Sequence, residues 1–331
     1  MKTISARDFS SILNVSPHLV YKLIKENDLK VIPVGNKKAL PSDTVRELIE
    51  LRGFKFKSNK QPKILNIFGM KGGIGKTSLA TAIAEGASRL GFRVLAIDLD
   101  MQANLTQSFN MKRHAQPVIF HAVTGQKSIK DVIIEVDPFL HLLPSSLDNS
   151  QIEQFLSSKT INIATFFKGL LSTVEKDYDL IITDCPPSIN KITSCAVCYA
   201  TTNLIPLNAD IDSFDGVIMS VSELQQIQEA FEIKLDYKII FNKYDAREKL
   251  SLTIMGEIAN SDQLKENLLP TVVRTNTAFK NTKAEGEYIF DLRKSTAKED
   301  CWALISEVVG ISTWLESKTK KQDSVNKEVV S

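Results

Sequence analysis

Ten residues, Gly69-Met70-Lys71-Gly72-Gly73-Ile74-Gly75-Lys76-Thr77-Ser78, constrain the fold more than any other stretch of the chain. The apolar run Ile64-Leu65-Asn66-Ile67-Phe68 before them reads as a buried strand, and Leu79-Ala80-Thr81-Ala82-Ile83-Ala84 after them as a helix. A glycine-rich turn between strand and helix aims backbone N–H groups and a helix N-terminus at one point, which suits a phosphate. In such a loop Lys76 reaches the terminal phosphates and the Thr77 hydroxyl ligates magnesium. The usual pattern has a glycine six residues before the lysine. Here that position is Met70, followed by a second lysine, Lys71.

The 331 residues suit one large domain plus a small one. A hydrophobic content of 43% and a charged content of 24% are those of an ordinary globular chain. No apolar run approaches the roughly 18 residues that span a bilayer. Met1-Lys2-Thr3-Ile4-Ser5 lacks an apolar signal core, so the expected compartment is the cytoplasm, with no membrane partner. Four cysteines, at 185, 195, 198 and 301, are too sparse for a disulfide scaffold. Cys195 and Cys198 form a C-x-x-C inside an apolar segment and read as packed helix residues.

Charge is unevenly placed. Residues 1–60 hold 12 Lys and Arg against 6 Asp and Glu, whereas the remainder carries 29 against 33. A basic module on a mildly acidic body points to a polyanion partner, although a solvated lysine face gives the same excess. Within the module, Ser5 caps a helix over Ala6–Leu13, and Ser16-Pro17 opens a second running to about Glu26. Two short helices joined by Asn14-Val15-Ser16 predict a helix-turn-helix, with Ser16, His18, Tyr21, Lys22 and Lys25 on the exposed face of the second. Val31–Val34 and Lys38–Leu40 flank a turn at Gly35-Asn36-Lys37, and Ser42 caps a helix over Asp43–Arg52. The arrangement resembles the winged helix-turn-helix of the MerR and excisionase type; a docking or dimerisation module is the other reading. Gly53–Pro62 reads as a polar, basic linker.

From residue 63 strand and helix patterns alternate. Buried strands are expected at Arg93–Asp98, Phe139–Pro144, Leu180–Asp184, Thr202–Leu207 and Tyr237–Asn242. This predicts an α/β fold, a mostly parallel sheet with helices on both faces and ligands at the carboxyl ends of its strands. Two acidic clusters sit at such ends. Asp98-Leu99-Asp100 can position water or a metal's hydration shell, and Asp184 of Asp184-Cys185-Pro186-Pro187-Ser188 stands where an acid holds magnesium through water.

Lys71-Gly72-Gly73-Ile74-Gly75-Lys76-Thr77, the run DLDMQANLT at 98–106 and DCPPS at 184–188 together resemble the deviant Walker A ATPases of the ParA partition family. Asp212-Ser213-Phe214-Asp215-Gly216 and Asn242-Lys243-Tyr244-Asp245-Ala246-Arg247 fit the same family, and the resemblance spans about 250 residues. It implies a P-loop NTPase-like fold, with ATP and Mg2+ bound by Lys71, Gly72, Gly73, Ile74, Gly75, Lys76, Thr77, Ser78 and Asn242. Under it two subunits sandwich two ATP molecules, and Lys71 enters the partner's site. Lys76 neutralises phosphate charge, Thr77 and Asp184 serve the metal, Asp100 orients the attacking water and Asn242 meets adenine. Met101 stands where the family usually has proline, which leaves the loop after Asp100 less rigid.

The resemblance further implies that the ATP homodimer binds DNA nonspecifically on the nucleoid. Arg247 and Arg274 are the best-placed contacts, with Lys280 and Lys283 in support or as solvated charge. A ParB-like centromere-binding protein stimulates hydrolysis, and the N-terminal module binds operator DNA for autorepression. The alternatives are an ATP-modulated transcription regulator and a ParA-like ATPase that positions a protein cargo. The expected boundaries are 1–57 for the winged helix-turn-helix, 58–316 for the ATPase and 317–331 for a disordered tail.

Overall fold

The computed structural model describes residues 2–34, 37–57, 61–112 and 117–330, without the side chains of Lys37, Ile211 and 321–330. A short strand, β1 (Thr3–Ser5), leads into α1 (Ala6–Ile12), whose cap is the Ser5 hydroxyl accepting from Asp8 N at 3.0 Å. The Ser16 hydroxyl does the same for α2 (Pro17–Glu26), accepting from Leu19 N at 3.2 Å. Strands β2 (Ile32–Val34) and β3 (Lys37–Pro41) then precede α3 (Ser42–Leu51). The small sheet runs β1-β3-β2, all antiparallel. The expected turn at Gly35-Asn36 lies outside the described residues, and β1 was not foreseen.

The large sheet starts at β4 (Lys63–Ile67), which feeds α4 (Lys76–Arg89). There follow β5 (Val94–Asp98), β6 (Ile134–Asp137), β7 (Leu140–Leu143), β8 (Leu180–Asp184), β9 (Thr202–Leu207), β10 (Tyr237–Tyr244) and β11 (Leu268–Arg274). Their order is β11-β10-β9-β4-β8-β5-β7-β6, parallel except for the β6–β7 pair. Fully apolar runs such as Leu180–Ile182 are buried because helices cover both faces. One face packs on α4 and helix Thr296–Val308, the other on helices such as Ile211–Phe231 and Lys249–Asn260. The α/β expectation holds. Edge strands β6 and β11 were missed: β6 is half-exposed, and β11 carries Pro270, a residue confined to edges because it cannot donate to a ladder.

The N-terminal residues share this core. Phe9, Leu13, Val45, Leu48 and Ile49 belong to the same buried cluster as Leu79 and Ile83 of α4 and Ile305 of helix Thr296–Val308. Charged ties reinforce the contact. The Arg46 guanidinium donates to Asp179 at 2.6 Å and to the Gly91 carbonyl at 2.7 Å, and Lys298 pairs with Asp8 at 2.9 Å. The buried Lys2 ammonium lies 3.5 Å from Glu85 and 4.1 Å from the centre of the Tyr288 ring. Arg89 bridges Glu85, Asp291 and the Thr3 carbonyl.

The stretch from Gly53 is therefore not a free linker. Phe54 and Phe56 are buried and make edge contacts with Phe92, at 5.9 and 4.6 Å between ring centres, and Phe54 also meets Trp314. Two aromatics two residues apart were masked by the lysines around them; their apolar area decides their burial. Where 317–331 was expected to be disordered, helix Ile311–Val330 covers 317–330, and Ser331 lies outside the described residues.

At Gly91 the backbones of module and body approach closely. Its φ is +80°, and a Cβ there would lie 2.8 Å from the Arg46 Cα. Gly91→Ala is expected to cost about 2–4 kcal/mol, combining left-handed strain with a backbone clash. Urea unfolding measures it, and a loss below about 0.5 kcal/mol would show that the close docking does not hold in solution.

Candidate functional site

The cradle sits at the carboxyl end of β4. Gly73 and Gly75 adopt φ of +76° and +91°, backbone that glycine takes without steric cost. At Gly75 the constraint is doubled, because a Cβ would lie 2.2 Å from Asn242 Nδ2. Gly75 is also the N-cap of α4, so the N–H groups of Lys76, Thr77 and Ser78 have no intrahelical acceptor. They add a partial positive charge where an anion would rest.

Two residues at the end of β10 brace the loop from outside. The Asn242 amide donates to the Ile74 carbonyl at 2.7 Å, and the Lys243 ammonium to the Gly73 carbonyl at 2.7 Å. Lys76 folds back onto the loop, donating to the carbonyls of Gly69 and Lys71 at 2.9 Å each. Burial pulls its pKa below the usual lysine value, against the attraction of Asp184, Cys185 and Asp100.

Register delivers the acids. Asp184 pairs with Ile67 on one side and with Asp98 on the other, so both carboxyls stand at the same height beside the cradle. Asp98 is buried and accepts from Thr106 N at 2.8 Å, Thr106 Oγ1 at 2.7 Å and Asp100 N at 3.2 Å. Burial pushes its carboxyl up to about 7, with the Thr106 bonds opposing. Burial, and then the neighbouring Asp98, push Asp184 well above the usual carboxylate range, while Thr77 and Lys76 pull it back.

Neither Asp184 oxygen has a hydrogen-bond partner of normal geometry, although both are buried. A buried acid left so is costly, and a cation with its water shell relieves it. Among the described residues no three His, Cys, Asp or Glu converge on a metal. The donor set of Thr77, Asp184, water and phosphate oxygen fits Mg2+, which keeps most of its waters. Asp100 lies next along the loop, its carbonyl held by the Ser145 hydroxyl at 2.6 Å, and Met101 beyond it is 42% exposed.

Lys71 has its own counter-ions. Its ammonium is ion-paired with Asp210 and lies 3.7 Å from Asp212. Asp210 also caps helix Ile211–Phe231 by accepting from Ser213 N at 3.0 Å. The Met70 N–H donates to Ser220 of the same helix at 3.1 Å, so the first half of the loop rests on that helix. Asp210 was not singled out from sequence, and Asp212 and Lys243 were named only within segments that fit the family, with no role; the Asp-x-Asp pair shortly after an apolar strand was the available signal.

The basic residues named from sequence lie elsewhere. Arg247 follows β10 and Arg274 ends β11, at one edge of the sheet. The Arg247 guanidinium is held by Asp245 at 2.6 and 2.9 Å, and that of Arg274 by Asp300 at 2.5 to 3.1 Å. Lys280 and Lys283 are exposed on helix Ala278–Glu285. Ser16, His18, Tyr21, Lys22 and Lys25 are exposed on α2, with Lys22 lying 3.7 Å from Glu26.

Residues 62–237 match an AAA domain family, AAA_31. The whole chain is similar to the cell division protein PomZ of Myxococcus xanthus, 28% identical over 321 residues and 93% of each length. It is similar to the chromosome-partitioning ATPase Soj of Thermus thermophilus, 28% identical over 221 residues, which cover 66% of this chain and 84% of that one. An ATP complex of Cyanothece McdA aligns with a TM-score of 0.68 at 21% identity, over 76% of this chain and 97% of that one. At that identity the likeness speaks for the fold, a P-loop NTPase sheet.

Gly75→Ala is expected to push Asn242 out of its seat and distort the cradle. Affinity for a magnesium–nucleoside triphosphate should fall tenfold or more, equivalent to about 1.4 kcal/mol. Titration calorimetry checks this, and wild-type affinity in the variant would remove the cradle from the binding site.

Proposed function

We propose, from the premise that this chain belongs to the AAA domain family matched by its residues 62–237, that it is a ParA-type partition ATPase acting as a dimer switch. ATP is its substrate and Mg2+ the ion it uses. The observation that carries the reading is Lys71, a second loop lysine 26% exposed at the carboxyl edge of the sheet and held in place by acids of its own chain. A phosphate loop needs one lysine, Lys76; a second one at the mouth suits a site that a second subunit completes.

In this reading the loop from Gly72 to Ser78 cradles the phosphates through its backbone. Lys76 leaves the carbonyls of Gly69 and Lys71 for phosphate oxygens, and Asn242 meets the adenine. Thr77, and Asp184 through water, would hold Mg2+, which would supply neutralisation of phosphate charge. Asp100 orients the attacking water, and Lys71 crosses to the partner's phosphates to stabilise the transition state. The paired subunits bind nonspecific DNA through Arg247 and Arg274, with Lys280 and Lys283 adding phosphate contacts once the two arginines exchange Asp245 and Asp300 for DNA. The exposed α2 face binds operator DNA. A ParB-like protein stimulates an otherwise weak hydrolysis, which releases the nucleoid.

A second reading keeps the switch and changes the cargo. PomZ corresponds over 93% of both lengths, a span that cannot leave out the first 57 residues, and its name places it in cell division. A chain built to that plan positions a protein assembly instead of a centromere. The gene encoded alongside decides between them: a small basic DNA-binding protein for partition, a cargo protein for positioning.

Lys76→Ala and Lys71→Ala are each expected to abolish ATP-dependent DNA binding in a gel-shift assay, with Lys71→Ala retaining ATP binding. Survival of DNA binding in either variant would sink the switch. Asp210→Ala frees Lys71 and should lower the ATP concentration for dimerisation two- to fivefold in sedimentation experiments, the worth of a half-exposed ion pair of about 0.5–1 kcal/mol.

A further inference from the structure

Beneath the site, in the middle of the sheet, lies a polar cluster that neither the cradle nor the fold requires. Asn66 of β4 stands directly opposite Thr183 of β8 on one side and Asn203 of β9 on the other. All three are 0% exposed. The Asn66 Oδ1 accepts from the Thr183 hydroxyl at 2.6 Å and from the Cys185 thiol at 3.0 Å. Its amide nitrogen donates to Asn203 Oδ1 at 2.8 Å, and the Asn203 amide is tied in turn to the carbonyls of Val197 and Asp236 at 3.4 and 3.3 Å.

Thr183 and Cys185 flank Asp184. Successive side chains of a strand point to opposite faces, so these two turn toward Asn66 while Asp184 turns away from it. One oxygen thus grips the residues before and after the acid. Apolar side chains at these positions would satisfy the sheet equally well, and buried polar groups in such a layer specify geometry more than they add stability.

We infer that Asn66, anchored by Asn203, is a positioning residue that fixes the end of β8 so that the Asp184 carboxylate faces the metal's water shell. The inference rests on the proposed ATP and Mg2+ reading. It concerns the metal side of the site alone, because the cradle's N–H donors lie on the loop and on α4, which these four side chains do not touch through any of the bonds above.

The test separates metal from nucleotide. Binding of a fluorescent ATP analogue is titrated with Mg2+, and separately measured in EDTA, for the wild type, Asn66→Val, Asn203→Val and the near-isosteric Thr183→Val. Asn66→Val should raise the Mg2+ midpoint about tenfold, the usual effect of removing a group that orients a metal ligand. Thr183→Val and Asn203→Val should raise it by smaller factors, and all four proteins should bind equally in EDTA. A folded Asn66→Val, or a folded Thr183→Val should the first not fold, with a midpoint within 1.5-fold of wild type overturns the inference. So does an affinity in EDTA that falls by the same factor as the midpoint rises, which is the mark of general loosening. Wild-type binding that ignores Mg2+ would instead overturn the functional reading on which the inference stands.

Discussion

Much of this structure depends on the placement of two buried acids side by side at the carboxyl ends of its central strands. Parallel pairing of β8 with β5 sets Asp184 against Asp98, and pairing with β4 puts both next to the glycine loop. Burial penalises the charged form of both, and Asp98 adds repulsion at Asp184, which is why both carboxyls hold their protons more tightly than usual. Asp98 is relieved by Thr106, whereas Asp184 is left for something that arrives from outside. Lys76 shows the complementary state, a buried ammonium resting on two carbonyls of its own loop. The cradle's own groups are thus electrostatically unfinished on both sides, and a magnesium–phosphate group supplies what each side lacks.

The parts legible in the sequence were those set by short-range pattern. Six strands announced themselves as apolar runs because helices cover both faces of the sheet, and the glycines of the loop are required by left-handed backbone at Gly73 and Gly75. Ser5 and Ser16 were readable as caps because a cap is a matter of three residues. What escaped depends on distance along the chain. Lys71 finds its counter-ion 139 residues away, and Asn66 finds Asn203 137 residues away. Nothing local marks such pairs. Strands β6 and β11 escaped for a different reason, since an edge strand needs neither alternation nor full burial.

The small N-terminal unit is a further case in which composition misled. Its surplus of lysine suggested a separate body on a polar tether, yet two phenylalanines in that tether are buried and α3 lies against the turn that follows α4. Ion pairs of Lys2, Arg46 and Arg89 sit around that contact, and burial draws the Lys2 ammonium below its usual pKa. Charges held in this way resist separation, because pulling the unit off would strand several of them in apolar surroundings.

That close contact has a mechanical consequence. A unit fastened to the body by backbone-to-backbone approach at Gly91 swings with it, as an arm swings with a shoulder. In the proposed dimer, the separation and twist between the two α2 helices are therefore dictated by how the ATPase bodies meet. DNA read by both arms would have to present its half-sites at one spacing and one helical phase, so in that reading the nucleotide at the centre of the molecule would act as a ruler for the sequence read at its ends.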